Sequence, residues 1–235
     1  MVHKLRKAIQ GNAPTLLYEK SIWAQGKEII VGIDEVGKGA WAGPLTVGAA
    51  VIPKDKRLYK VRDSKLLKAP EREALFEAAI DWCITWGIGH ATNEECDQYG
   101  MSIAQKIAAK RAIEKLSIKP DHALIDGNWD FIGETIGKGN VTKIVKGDTK
   151  CLSIATASIL AKVTRDRIMK EKDSQYPHYA FSSNKGYPCP NHKNALKTIG
   201  PCELHRKSWA FMDQTPFPRA PKPKRNPMQG SLFQG

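Results

Sequence analysis

The sequence predicts an α/β domain with a smaller helical segment at its C-terminal end, and three observations predict it. Short apolar runs rich in β-branched residues alternate with stretches at helical spacing. One long run, Leu152 to Lys172, reads as a single helix, small and apolar at first and strongly charged later. Beyond Asp173 the composition shifts to Tyr, Pro, His, Asn and Gly, with only short helical pieces.

Taken in order, residues 1–27 form a polar leader, basic near its start. Ile29 to Ile33 and Leu45 to Ile52 then flank a glycine-rich turn, the pattern of two adjacent strands in a hairpin. Asp34 and Glu35 thereby fall at a strand end. After Pro70, EREALFEAAIDWC carries acids in its first turn and apolar residues at helical spacing, and a strand-like WGIGHA follows. Met101 to Ser117 reads as an amphipathic helix with a basic face. HALIDG reads as a buried strand ending at Asp126. The domain reading is a catalytic core over 28–173, a C-terminal helical segment over 174–213, and a Pro-rich, basic tail over 214–235 that is expected to be disordered. Strand order is not derivable at this level.

Bulk properties narrow the function classes. The 235 residues are enough for a sizeable core without disulfide or metal staples. With 37 Lys and Arg against 24 Asp and Glu, the formal charge of +13 suits a polyanionic partner, nucleic acid first, although excess Lys also simply solvates surfaces. Five scattered cysteines and no signal peptide point to a reducing compartment and a cytoplasmic protein. No apolar run approaches the ~20 residues that cross a bilayer. A monomer is expected.

The chemistry-bearing residues are acids. Asp34 and Glu35 end one strand, Asp126 ends another, and Asp148 follows an apolar Ile-Val before the long helix. Taken singly, each is equally an ordinary turn or cap residue. Gathered, four carboxylates repel unless they share divalent cations; Mg2+ or Mn2+, hard ions with oxygen ligands, fit best. Two such ions ~3.5–4 Å apart can serve phosphodiester cleavage. Spacing alone does not prove that the four converge.

At this point a resemblance becomes specific. GIDEVGKGAWAGPLTVGAAV is similar to the opening motif of the ribonuclease HII family. DSKLL, LIDGN, KGD, SIATASILAKVTRD and NKGYP resemble its later blocks in the same order, from about Ile29 to about Trp209. The resemblance implies a ribonuclease H-like mixed sheet flanked by helices. It implies an endonuclease that hydrolyses the RNA strand of RNA-DNA hybrids, incises at single ribonucleotides in duplex DNA, serves ribonucleotide excision repair, and leaves 5′-phosphate and 3′-hydroxyl ends. Asp34, Glu35, Asp126 and Asp148 take the positions of the family's metal-binding carboxylates. Gly37, Lys38 and Gly39 resemble a Gly-Arg-Gly turn whose main chain reads the ribose 2′-hydroxyl. Tyr187 resembles the tyrosine that packs on the following deoxyribose. Two departures are Lys38 for the usual arginine, which keeps the charge but loses the planar fork, and Trp209 where Phe is common. Asp166, between Arg165 and Arg167, reads as a structural ion pair.

Three further features stand apart. Cys189, His192, Cys202 and His205 form a C-x2-H-x9-C-x2-H pattern with superficial zinc spacing, the basis of an alternative reading as a zinc-stabilised nucleic-acid-binding module. Gln229 to Phe233 resembles the Q-x-x-L-F peptide that hooks a sliding clamp. Lys65 is a candidate phosphate contact without a firm role. Within the nucleases the alternative is the type 3 enzyme, whose extra N-terminal domain is larger than the 33 residues before Asp34.

Overall fold

The computed structural model describes residues 13–58, 61–62 and 64–222. Strand β1 (Ile30–Val36) pairs antiparallel with β2 (Leu45–Val51), as the hairpin pattern predicts, and β2 pairs antiparallel with β3 (Thr85–Ala91). On its other side β1 pairs parallel with β4 (His122–Asp126), and β4 pairs parallel with β5 (Val141–Ile144). The order β3-β2-β1-β4-β5 makes one mixed sheet.

Strand periodicity assigns the two faces. Val31, Ile33, Val47, Ala49 and Val51 pack with Ala104, Ala108 and Ala112 of α4 (Met101–Ile113). The alternate positions Ala50 and Ile88 pack instead with α2 (Ala69–Trp82) and with Ala157, Ile159 and Leu160 of α7 (Leu152–Asp173). Ile30 and Leu124 join this second side through Ile154. Each fully buried Ile contributes roughly 1.5–3 kcal/mol. Small residues at the helix contacts let α4 and α7 approach the sheet closely.

The segment read as a leader contributes α1 (Leu17–Trp23), which caps the long helix from outside. Glu19, fully buried, accepts the Ser153 amide at 2.8 Å and the Cys151 thiol at 3.0 Å. Its charge therefore meets the positive end of α7, where a carboxylate is favoured. Between β3 and α4 lies a helix absent from the sequence reading, α3 (Asn93–Tyr99). It is closed by a capping box in which Thr92 Oγ1 accepts the Glu95 amide at 3.2 Å and Glu95 accepts the Thr92 amide at 2.9 Å.

One-turn helices α5 (Gly133–Ile136) and α6 (Gly147–Lys150) flank β5. The C-terminal segment holds α8 (Phe181–Asn184) and α9 (Pro190–Thr198), gathered around Tyr179, Phe181, Leu196 and Phe211. The first residues of the Pro-rich tail make specific contacts. Arg219 donates to the Ser208 carbonyl at 2.8 Å and pairs with Asp213 at 2.6 Å, while the Ala220 amide donates to Lys207 at 2.9 Å. Composition alone missed these specific partners. Among the described residues no helix is long and apolar enough to cross a membrane.

Candidate active site

The parallel β1–β4 ladder runs to Ile33 opposite Ile125. The next residue on each strand is an acid, so Asp34 and Asp126 lie side by side where the β1–β4 ladder ends, on the side that faces α7, while β1 itself continues to Val36 against β2. Asp34 is buried and hydrogen-bonded to Ser158 of α7, whose hydroxyl is also 2.9 Å from that of Ser64. Asp126 accepts the Gly147 amide at 2.7 Å, which ties the end of β4 to α6. Lys146 takes a left-handed conformation, φ 57°, to start α6 and aim that amide. Asp148, in the same short helix, is buried and receives Lys65 at 2.9 Å. Glu35 receives Lys38 at 3.4 Å.

Electrostatics ties the four together. Burial pushes the Asp34 carboxyl well above the ordinary carboxylate range, and the charges of Glu35, Asp126 and Asp148 push it further. Burial also raises Glu35, against the Lys38 ammonium and with help from Asp126. Asp126 is raised by burial and by Asp148, against the Gly147 amide and Lys65. Asp34, Glu35 and Asp126 thus resist ionisation, through burial first and through the charges of their neighbours second.

Among the described residues, no three His, Cys, Asp or Glu side chains are drawn together tightly enough to hold a metal ion as they stand. Repelling carboxylates instead turn to ammonium groups, Asp148 to Lys65 and Glu35 to Lys38. The donor chemistry nevertheless fits a hard divalent cation: four carboxylates with oxygen ligands, gathered at one end of a rigid sheet. No comparable fit exists at the cysteine-histidine pattern. There His192 Nε2 and His205 Nε2 stand 2.9 Å apart, a hydrogen bond, whereas two nitrogens on one tetrahedral zinc would be about 3.3 Å apart. The zinc-module reading finds no support in this geometry.

Beside the acids lies the turn that follows β1. Gly37 has φ +88°, and a Cβ there would stand 2.3 Å from Arg165 Nε and 2.8 Å from the Pro44 carbonyl. Only glycine suits it. Gly39 has open space around the same position. The Gly37 amide donates to the Tyr187 hydroxyl at 3.0 Å, bringing two of the expected substrate-reading elements into direct contact. Lys38 exposes its side chain, and its carbonyl is held by Arg206 at 3.1 Å.

Two residues the sequence reading missed hold this turn. Arg165, fully buried, donates to the carbonyls of Ala42, Pro44 and Lys185 at 2.8–2.9 Å, and its guanidinium lies 5.4 Å from the Tyr187 ring centroid. Burial lowers it to about 10. Arg206, also fully buried, reaches the Gly43 carbonyl at 3.0 Å and stacks over Trp209. The expected ion pair of Asp166 exists, but with Lys162 at 2.8 Å and Arg72 at 3.8 Å; Arg165 faces inward, and Arg167 pairs with Glu73 and Glu77. A signal was present: Ala157, Ala161, Arg165 and Met169 recur every four residues, which sets Arg165 in the buried stripe.

Next to Tyr187 a hollow of about 330 Å³ is lined by Arg72, Lys162, Lys170 and Lys185, with Glu73 and Asp166 among them.

A family profile described as Ribonuclease HII matches residues 31–212. A Streptomyces avermitilis protein named Ribonuclease HII is 41% identical over 220 residues, covering 93% of each chain. Among solved structures, ribonuclease H2 from Pyrococcus horikoshii OT3 superposes with a TM-score of 0.69 at 28% identity, over 80% of this chain and 96% of that one. A chain of the PCNA:RNase HII complex from Archaeoglobus fulgidus gives 0.64, also at 28%, over 77% and 95%. Its mixed sheet therefore has the ribonuclease H-like fold, and the chain belongs to the ribonuclease HII family, endoribonucleases of the ribonuclease H type.

Proposed function

We propose that this chain incises duplexes at ribonucleotides, both along RNA-DNA hybrids and at a single ribonucleotide embedded in DNA, using Asp34, Glu35, Asp126 and Asp148 to hold Mg2+ or Mn2+. The observation that carries the reading is the parallel pairing of β1 with β4, which sets Asp34 beside Asp126 and leaves Asp148 within electrostatic reach of both. Bound divalent ions would polarise the scissile phosphate and lower the pKa of an attacking water.

The chain's own residues do the rest. Ser158 fixes the orientation of Asp34, and the Gly147 amide that of Asp126. Lys38 and Lys65 sit on the acids as counter-charges and can transfer to substrate phosphates, as point charges without bidentate geometry. The Gly37-Lys38-Gly39 main chain recognises the 2′-hydroxyl, which is read and not used as the nucleophile. Tyr187, tied to Gly37, stands against the next sugar and favours one lacking that hydroxyl. The cationic hollow beyond it suits backbone phosphates. The products are a 5′-phosphate and a 3′-hydroxyl.

The test is a duplex with one embedded ribonucleotide. Wild-type protein with Mg2+ or Mn2+ should cut on the 5′ side of the RNA-to-DNA junction, and Asp34→Asn or Asp126→Asn should lose at least about a hundredfold in kcat. Full activity in either variant removes that residue from the mechanism.

The Archaeoglobus fulgidus relative was solved with PCNA. In this chain the clamp-like peptide Gln229 to Phe233 lies outside the described residues. A clamp contact through it is part of the proposal, and unchanged clamp binding after deletion of the final eight residues would discard it.

A further inference from the structure

Two buried histidines have no part in the chemistry above. His192, on α9, and His205, in the loop beyond it, are 0% and 1% exposed and share the 2.9 Å contact between their Nε2 atoms. Their other contacts decide where the protons are. His192 Nδ1 lies 2.9 Å from the Tyr187 carbonyl oxygen. A carbonyl only accepts, so His192 carries its proton on Nδ1, and in the neutral ring its Nε2 is an acceptor. His205 Nδ1 accepts the Cys202 amide at 3.0 Å, with the Cys202 thiol 3.2 Å away. Its proton is therefore on Nε2, pointing at His192. The result is one directed chain, from the Cys202 amide through His205 and His192 to the Tyr187 carbonyl.

That chain closes only with both rings neutral, because an imidazolium would set two N–H groups against each other. The surroundings enforce neutrality. Tyr179 and Phe181 pack around both rings and Trp41 beside His192, while Lys207 adds a repelling charge near His205. Burial lowers both groups, in keeping with the geometry. Tyr187 is consequently held at both ends, its carbonyl by His192 and its hydroxyl by the Gly37 amide. The same region is laced to the turn: Trp41 and Ala42 amides donate to the Gly186 carbonyl, and Ala42 bridges to His205.

We infer that His192 and His205 are positioning residues for junction selection: the neutral imidazole pair sets the backbone of Tyr187, and so the distance between its ring and the ribose-reading turn. The inference rests on the reading of Tyr187 as the residue that packs on the deoxyribose. Neither histidine touches substrate. A buried apolar pair in their place would strand the Tyr187 carbonyl and the Cys202 amide without partners.

The experiment compares cleavage of two duplexes, a single ribonucleotide followed by DNA and a continuous RNA-DNA hybrid, by wild type, His205→Phe, His205→Gln and Tyr187→Ala. His205→Phe should lose roughly tenfold in kcat/KM on the junction duplex, mainly through KM, while changing little on the hybrid. His205→Gln, which keeps a donor toward His192, should recover part of the loss. Histidine 15N NMR of the wild type should find His192 protonated on Nδ1 and His205 on Nε2, both neutral from pH 8 down to 5. The opposite tautomers, or an imidazolium in that range, overturn the inference even if His205→Phe does not fold. A folded His205→Phe with an unchanged junction-to-hybrid ratio also overturns it, and leaves the Tyr187 reading standing if Tyr187→Ala loses that ratio. A Tyr187→Ala variant that keeps the ratio sinks both.

Discussion

Gly37 and Gly39 sit two residues apart in the same turn and face different constraints. At Gly37 an added methyl meets Arg165 and the Pro44 carbonyl at a positive φ, whereas at Gly39 it meets nothing within 4 Å. Gly37→Ala should therefore lower the melting temperature as well as activity, by more than the ~1 kcal/mol of an ordinary glycine replacement. Gly39→Ala should leave the melting curve unchanged and, on the proposal that the open side of this turn receives the ribose, raise KM for ribonucleotide substrates. Thermal melts beside steady-state kinetics separate the two, and equal behaviour would refute the assignment of the open side to substrate. At this scale the acids were legible because carboxylates at the ends of apolar strands demand a reason. Arg165 and Arg206 were not, because their partners are main-chain carbonyls that no side-chain pattern announces.

The elements that could be read ahead were those with a strong period: β1, β2, β3, β4, α2, α4 and α7 fall within a few residues of their expected bounds. The short ones escaped. Strand β5 has four residues and only one buried side chain, and α3 carries its signal in a capping box and not in an apolar stripe. Helix α1 escaped because it is short and its partners lie far along the chain: Glu19 acts on the start of α7 and Ile22 packs with Ile30, Leu124 and Ile154. Removing the acid makes a clean test of its role. Glu19→Ala strips the carboxylate from the N-terminus of α7 and should cost about 1–2 kcal/mol, a drop of several degrees on a calorimetric scan. A variant that melts like the wild type would make the α1 contact incidental.

For the molecule as a whole, strand order was beyond reach of the sequence. The hairpin is local, but the step from β1 to a parallel β4 passes over β2, β3 and three helices, and local spacing does not say on which side of β1 the chain returns. The closed fold also sets an acid limit. His205 falls from an ordinary 6.5 to about 3, and His90, His122 and His192 are lowered in the same direction by burial. The unfolded chain takes up those protons as pH drops through 6.5 while the folded chain refuses them. The contribution of His205 is thus complete above that pH and is lost as pH falls toward about 3, at about 1.4 kcal/mol per pH unit, and the other three histidines act in the same direction. Denaturant melts between pH 7 and 4 should give a shallower decline for His205→Gln than for wild type, and parallel curves would contradict the neutral pair.

The parallel seam between β1 and β4 has a further consequence during synthesis. Translation at about 5–20 residues per second separates Asp34 from Asp126 by roughly 5–20 s. Through that interval the emerging hairpin has two of its acids and none of the other strand's. On the proposed mechanism, a nascent chain released before Asp148 clears the ribosome would lack part of the metal-holding set, and competence to cut would arrive only with the second half of the chain.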